Sequence, residues 1–134
     1  MSARHISLRL KPNEDLYQAL VDCVGKYHIT AGAVLTCVGS LKQANIRLSC
    51  RNTPSRFHQK MEIVSLSGTL SADGCHLHIC LADGDGQTIG GHLLGESLVN
   101  TTAEIVICAL DDTLFQRRQD DSTGYRELEI QPLA

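Results

Sequence analysis

The chain has no tryptophan, and aromatic residues make up only 4% of its 134 positions. Proteins that grip single-stranded nucleic acid stack its bases on aromatic rings, so this poverty argues against that mode. A basic surplus is also missing: 12 Lys and Arg stand against 15 Asp and Glu, a net charge of -3. Phosphate neutralisation supplies much of the affinity of a duplex-binding protein, so tight unaided DNA binding starts at a disadvantage. None of the six cysteines forms a C-x-x-C pair, which removes the usual zinc-ribbon and redox readings. Several lie in apolar runs such as "VLTCVG" and "IVICAL", where a free thiol behaves as a small hydrophobe. The opening "MSARHISLRL" lacks the apolar core of a secretory signal. No run approaches the roughly 18 apolar residues of a membrane span. The expectation is a reduced, cytoplasmic protein with no membrane association.

What is present fits a single domain over residues 1–134. Hydrophobic residues make up 43% and charged ones 20%, ordinary for a globular chain, and this length buries a core without staples. "RHISLRL" alternates apolar and polar residues and reads as a half-buried strand. "KPNEDLYQALVDCVGKY" switches to the helical period, with Leu16, Leu20 and Val24 on one stripe. Asn13 is the expected N-cap, Glu14 and Asp15 suit the positive end of the helix dipole, and Gly25 is the expected end. From Ile29 onward, apolar or alternating runs predict strands, ending with "YRELEIQ"; "RNTPSRFHQ" and "DDTLFQRRQDDSTG" read as polar loops. The pattern predicts an α+β fold, a mainly antiparallel sheet with one or two flanking helices.

Three of the six histidines fall in one segment, "HLHICLADGDGQTIGGHLLG". Side chains two apart on a strand leave from the same face, so His76 and His78 project together. A hairpin centred on Asp85 sets His78 directly opposite His92, with Cβ atoms about 5 Å apart. Three neutral imidazoles in that arrangement can hold zinc and leave a fourth position for water or substrate. The reading depends on a symmetric turn, because a one-residue bulge moves His92 to the other face. The alternative is a set of solvent-facing or hydrogen-bonded histidines. His5, His28 and His58 form no such pattern.

Other residues carry weaker signals. Arg47, Arg51, Arg56 and Lys60 form a basic stretch that could meet phosphate or another anion; the plainer reading is a solvated loop. Glu62, Glu96 and Glu104 are candidate proton carriers for a metal-bound water. Glu104 draws notice because its strand, "TTAEIVI", is otherwise apolar. Facing solvent or a neighbouring subunit would explain it equally. "DGDGQ" lacks the downstream Glu of a calcium loop, so turn chemistry accounts for it.

Taken together, "KMEIVSLSGTL", the histidine segment, "LVNTTAEIVI" and the upstream run from Lys11 to Leu48 resemble the plants and prokaryotes conserved (PPC) domain. The resemblance extends from the first strand to about Leu110, and its most specific element is G-G-H-L-x-x-G followed by the Thr-x-Glu strand. It implies a mainly antiparallel α+β subunit assembled as a homotrimer, similar in fold to acetolactate decarboxylase, whose metal is held by three histidines. It matches His76, His78 and His92 to the family's H-x-H and G-G-H positions. In plants the domain accompanies an AT-hook and takes part in transcriptional regulation, and stand-alone prokaryotic members often carry a DNA-binding label. This chain has no Arg-Gly-Arg-Pro hook. Where the plant domain has a Gly-Arg-Phe-Glu-Ile partner stretch, it reads Gln59-Lys60-Met61-Glu62-Ile63.

Two functions follow as expectations. The resemblance implies a trimer associated with DNA, transcription or a protein partner. The histidines point instead to a metal-dependent binder of small molecules, or a lyase or hydrolase, using zinc or another divalent transition metal.

Overall fold

The computed structural model describes residues 2–133. Strand β1 (Ala3–Leu10) turns Ile6 and Leu10 inward, as its alternation predicts. Helix α1 (Leu16–Lys26) buries Leu16, Leu20 and Val24, the predicted stripe, together with Cys23. Its cap differs from the expectation. Asp15 is the N-cap, and its carboxylate accepts from the Gln18 backbone N–H at 3.2 Å. Asn13 instead adopts a left-handed φ of 74° and donates its N–H to the Val99 carbonyl at 2.9 Å. The chain must still turn at Asn13, and Asn tolerates that region better than most residues. The helix also passes through Gly25 and closes at Tyr27.

The remaining elements are strands: β2 (Gly32–Arg47), β3 (Ser55–Phe57), β4 (Met61–Ser71), β5 (Gly74–Ala82), β6 (Thr88–Leu93), β7 (Leu98–Leu110), β8 (Thr113–Asp120) and β9 (Tyr125–Pro132). The fold is mainly antiparallel, with one helix among the described residues. The main sheet runs β1-β7-β2-β4-β5-β6, with β3 added to β2. Strand β2 takes β4 along Gly32–Leu41 and meets β6 at Ile46 and Arg47, so β2, β4, β5 and β6 close into a ring. Register shifts in its pairing with β7 mark the irregularities that let so long a strand bend. Inside the ring lie Ile46, Leu66, Leu70, Leu77, Ile79, Leu81 and Leu93, with α1 packed against β4, β5 and β7.

Two predicted loops contain strand. Ser55–Phe57 pairs with the end of β2. The larger correction is "DDTLFQRRQDDSTG", most of which is β8, matched residue for residue to β9 from Thr113 opposite Pro132 to Asp120 opposite Tyr125. Its apolar side chains are only half-buried, so the sequence shows little periodicity. The order comes from ladder hydrogen bonds to a partner strand. This ribbon is tied to the main body by Phe115 N–H to the Thr30 carbonyl at 2.9 Å, the Thr30 hydroxyl to the Thr113 carbonyl at 2.7 Å, and Arg117 N–H to the Asp73 carboxylate at 3.0 Å.

Candidate metal centre

The turn between β5 and β6 decides where the histidines meet. Asp83 organises it: its carboxylate accepts from the N–H groups of Asp85 and Gln87 at 2.9 and 3.0 Å, and its carbonyl accepts from Gly86 at 3.0 Å. Gly86 supplies the positive φ of 78° that this turn requires. The loop is symmetric about Asp85, no bulge intervenes, and His78 pairs directly with His92. At the other end of β6, the buried Ser97 hydroxyl bonds the Leu94 carbonyl and accepts from Asn45 N–H, while the Asn45 amide donates to the Gly95 carbonyl. These bonds fix β6 against β2.

The outcome is one row across four strands, Arg47 on β2, His92 on β6, His78 on β5 and Ser67 on β4, with His76 opposite Thr69 on the next same-face rung. Ring centroids are 4.9 Å apart for His76 and His78, 5.2 Å for His76 and His92, and 5.8 Å for His78 and His92. One nitrogen from each ring lies within 4.8 Å of the others, so the group could hold a metal ion. Tetrahedral zinc with bonds of about 2.0–2.1 Å sets its nitrogens roughly 3.3 Å apart. The imidazoles therefore need only modest side-chain rotation to close on an ion.

The electrostatics suit ligands rather than cations. Burial, and then the Arg47 guanidinium and the other two histidines, push His92 down to about 4. Burial also lowers His76, helped by His78, Arg117 and Arg47 and opposed by Glu127, although much of its surface stays exposed. Both rings are thus held neutral near pH 7, the form that coordinates metal. The hydrogen bonds beside them run from Arg117 to the Thr69 hydroxyl and from Arg126 to the Arg117 carbonyl, leaving the imidazoles free.

His76 and His92 open into a cavity of about 500 Å³ whose other walls include Arg47, Arg117, Tyr125, Arg126 and Glu127. A larger cavity of about 630 Å³ lies between α1 and β8, walled by Tyr17, Val21, Ile29, Leu114 and Phe115 among others. Among the described residues, the group of side chains that could hold a metal ion borders the smaller cavity.

Of the basic stretch, only Arg47 reaches the histidine cavity. Arg51 is exposed on the following loop, Arg56 on β3 is ion-paired with Glu96, and Lys60 precedes β4 beside Glu62. Glu62 and Glu104 are exposed and lie away from the histidines, Glu62 near Asp83 and Glu104 opposite Arg9 and Val38. Two carboxylates, Asp73 and Glu127, line the histidine cavity, and Glu127 is the one whose charge acts on His76. Arg117, Arg126 and Glu127 were not anticipated as site residues. They lie far along the chain and on the ribbon, and no spacing rule links them to His76.

The chain is 46% identical over 127 residues to the bifunctional protein GlmU of Synechococcus sp. strain JA-2-3B'a(2-13), covering 95% of this chain and 20% of that protein. It thus spans about a fifth of that relative's length. Among solved structures, a hypothetical protein from Salmonella superposes with a TM-score of 0.96 at 33% identity, over 98% of this chain and 95% of the other. The metal-containing protein AF0104 of Archaeoglobus fulgidus gives 0.82 at 25%, over 94% and 93%. A "putative dna binding protein" of Bacteroides thetaiotaomicron shares the fold, at 0.84 and 20%, over 96% of each chain. The family model for the Plants and Prokaryotes Conserved domain matches residues 1–111, and the chain, with the hairpin register and histidine row described above, belongs to that family.

Proposed function

We propose that this domain is a metal-dependent binding module in which His76, His78 and His92 hold one divalent transition-metal ion, zinc being the first candidate. One observation carries the reading: three imidazoles from two adjacent strands converge on one face with ligating atoms within 4.8 Å. The name of the archaeal relative, a metal-containing protein, supports it. A metal bound there supplies Lewis acidity toward a carbonyl or water. Around it, the arginines can orient a substrate, and Glu127 is placed to accept or return a proton. Six free thiols, three of them buried, support a reducing, cytoplasmic setting.

The test is elemental analysis of tag-free protein purified without chelator. About one metal per chain, lost in His78→Ala and kept in His58→Ala, is the expected result. Equal metal content in both variants would sink the tripod.

Self-association as a homotrimer is part of the proposal. Leu35 and Val38 on β2 and Val64 on the adjacent β4 are each more than half exposed, which supports a covered face. Light scattering should give the mass of three chains, and a monomer would refute it.

A second reading, DNA association, is favoured by the name of the Bacteroides neighbour and by Arg47, Arg51, Arg56 and Lys60. The ion pair of Arg56 with Glu96 and the net charge of -3 weaken it. It requires duplex affinity that falls steeply with salt and is lost in Arg51→Glu; absence of binding at low salt excludes it.

A further inference from the structure

The histidine cavity is walled by three arginines: Arg47 from the end of β2, and Arg117 and Arg126 from the β8–β9 ribbon. The protein's ion pairs among the described residues are Arg4 with Asp111, Arg56 with Glu96, and Arg118 with Glu129. None of the three cavity arginines takes part. Arg118, the immediate neighbour of Arg117, is neutralised on the ribbon, while the Arg117 guanidinium donates to the neutral Thr69 hydroxyl, at 3.1 Å. Arg126 spends one nitrogen on the Arg117 carbonyl, at 2.9 Å, which orders the two guanidinium-bearing residues relative to each other. Arg47 lies directly opposite His92 across the β2–β6 pairing.

Two carboxylates share the cavity, Asp73 and Glu127. Asp73 accepts from the Arg117 backbone N–H at 3.0 Å, a bond that seats the ribbon. Three guanidinium groups against two carboxylates leave the wall positive even before any metal is counted.

We propose that this cavity is an oxyanion site: a small carboxylate or phosphate ligand sits between Arg47, Arg117 and Arg126, with an oxygen directed at the histidine centre. Guanidinium groups recognise both anions through paired charge-assisted hydrogen bonds, and a volume of about 500 Å³ suits a small metabolite rather than a polymer. Arg117 and Arg126 lie on the ribbon, beyond residue 111 where the family model ends, and Arg47 lies within the matched residues, so the cradle joins the two parts of the chain. The proposal deepens the metal-binding reading and rests on it for the ligand's second anchor.

The test is calorimetric titration of the zinc-loaded protein with oxalate and, separately, with inorganic phosphate. Wild type, Arg117→Gln, Arg126→Gln and the control Arg118→Gln are compared, and metal content is measured on every sample. Arg126 is exposed, so its variant keeps the proposal testable if loss of the Arg117–Thr69 bond disturbs folding. Expected is binding of at least one anion, weakened about tenfold or more in Arg117→Gln and Arg126→Gln and unchanged in Arg118→Gln, with metal content constant. Preference for oxalate marks a carboxylate ligand, and preference for phosphate a phosphorylated one. Metal present but affinity equal in all four proteins, or binding of neither anion, overturns the arginine cradle and leaves the metal site standing. If no sample holds metal, the metal reading fails, and the same titration on metal-free protein decides the cradle: dependence on Arg126 sustains it, and independence overturns it.

Discussion

Two of the protein's hairpins, β5–β6 and β8–β9, are built on different principles. The β5–β6 hairpin sits in the closed ring, and its inward residues Leu77, Ile79, Leu81 and Leu93 are almost wholly buried. Its register is fixed twice, by the Asp83–Gln87 turn and by the burial that a one-residue slip would invert. The β8–β9 ribbon has no fully buried side chain and depends on ladder hydrogen bonds and a few ties to Thr30 and Asp73. The first hairpin can hold ligating atoms in fixed geometry. The second can vary in sequence without endangering the core, which suits residues that select a ligand. The metal centre and the arginine wall divide along that line.

The sharpest way to break the comparison is at the metal. His78→Ala removes one of three imidazoles from the rigid hairpin, and metal affinity should fall by a factor of about 100 or more. Arg126→Gln on the ribbon should leave metal content unchanged. Competition titration with a chromophoric chelator measures both, and comparable losses would show that the two hairpins do not divide the work as described.

Core truncation comes next. Leu77 is fully buried, and Leu77→Ala should cost about 2–5 kcal/mol in denaturant unfolding. Leu114 on the ribbon is half-buried, and Leu114→Ala should cost about 1 kcal/mol or less. Similar costs would mean the ribbon shares the cooperative core.

Glycine substitution separates space from backbone conformation. A Cβ at Gly91 would stand 2.6 Å from the Ile46 side chain and 2.8 Å from the Arg47 carbonyl. Gly91→Ala should therefore cost about 1–3 kcal/mol and weaken metal binding, because relief of the overlap pushes β6 away from β2. Gly124 in the ribbon turn has open space but a φ of +80°. Gly124→Ala should cost about 1–2 kcal/mol with metal affinity unchanged. Loss of metal in the Gly124 variant would contradict the separation.

The same contrast explains what the sequence could disclose. Alternation around a short polar turn made the β5–β6 pairing legible, so the opposition of His78 and His92 followed from counting. The stripe of α1 was legible for the same reason, since burial leaves a period. Its cap was not, because Asn13 and Asp15 are both residues that cap well and the choice rests on where the incoming chain turns. The ribbon left little trace: "DDTLFQRRQDDSTG" is polar because its strand is not buried, and β9 supplies its order from outside the segment. Arg117, Arg126 and Glu127 were out of reach because their closeness to His76 is a product of how the ribbon docks. Glu62 and Glu104 attracted attention by type and strand context, neither of which carries information about distance.

The smallest expected effect is on pH dependence, and it also differs between the hairpins. His92 is pushed down to about 4 from an ordinary value of 6.5. Between those values the unfolded chain binds a proton that the metal-free folded protein rejects, so folding stability should rise with pH across that window. On acidification the loss begins below about 6.5 and stops growing near 4, where the folded form is protonated too. On the ribbon, Asp120 is lowered below 3.8 because the Ser122 hydroxyl and N–H bond its carboxylate. Its contribution is present above 3.8 and is lost only as pH falls through the lower folded value. Urea unfolding of metal-free protein at stepped pH should therefore show a slope between 4 and 6.5 that His92→Gln reduces, leaving the part due to His76, and Asp120→Asn leaves intact. A slope unaffected by His92→Gln would mean that its burial is not what opposes the proton.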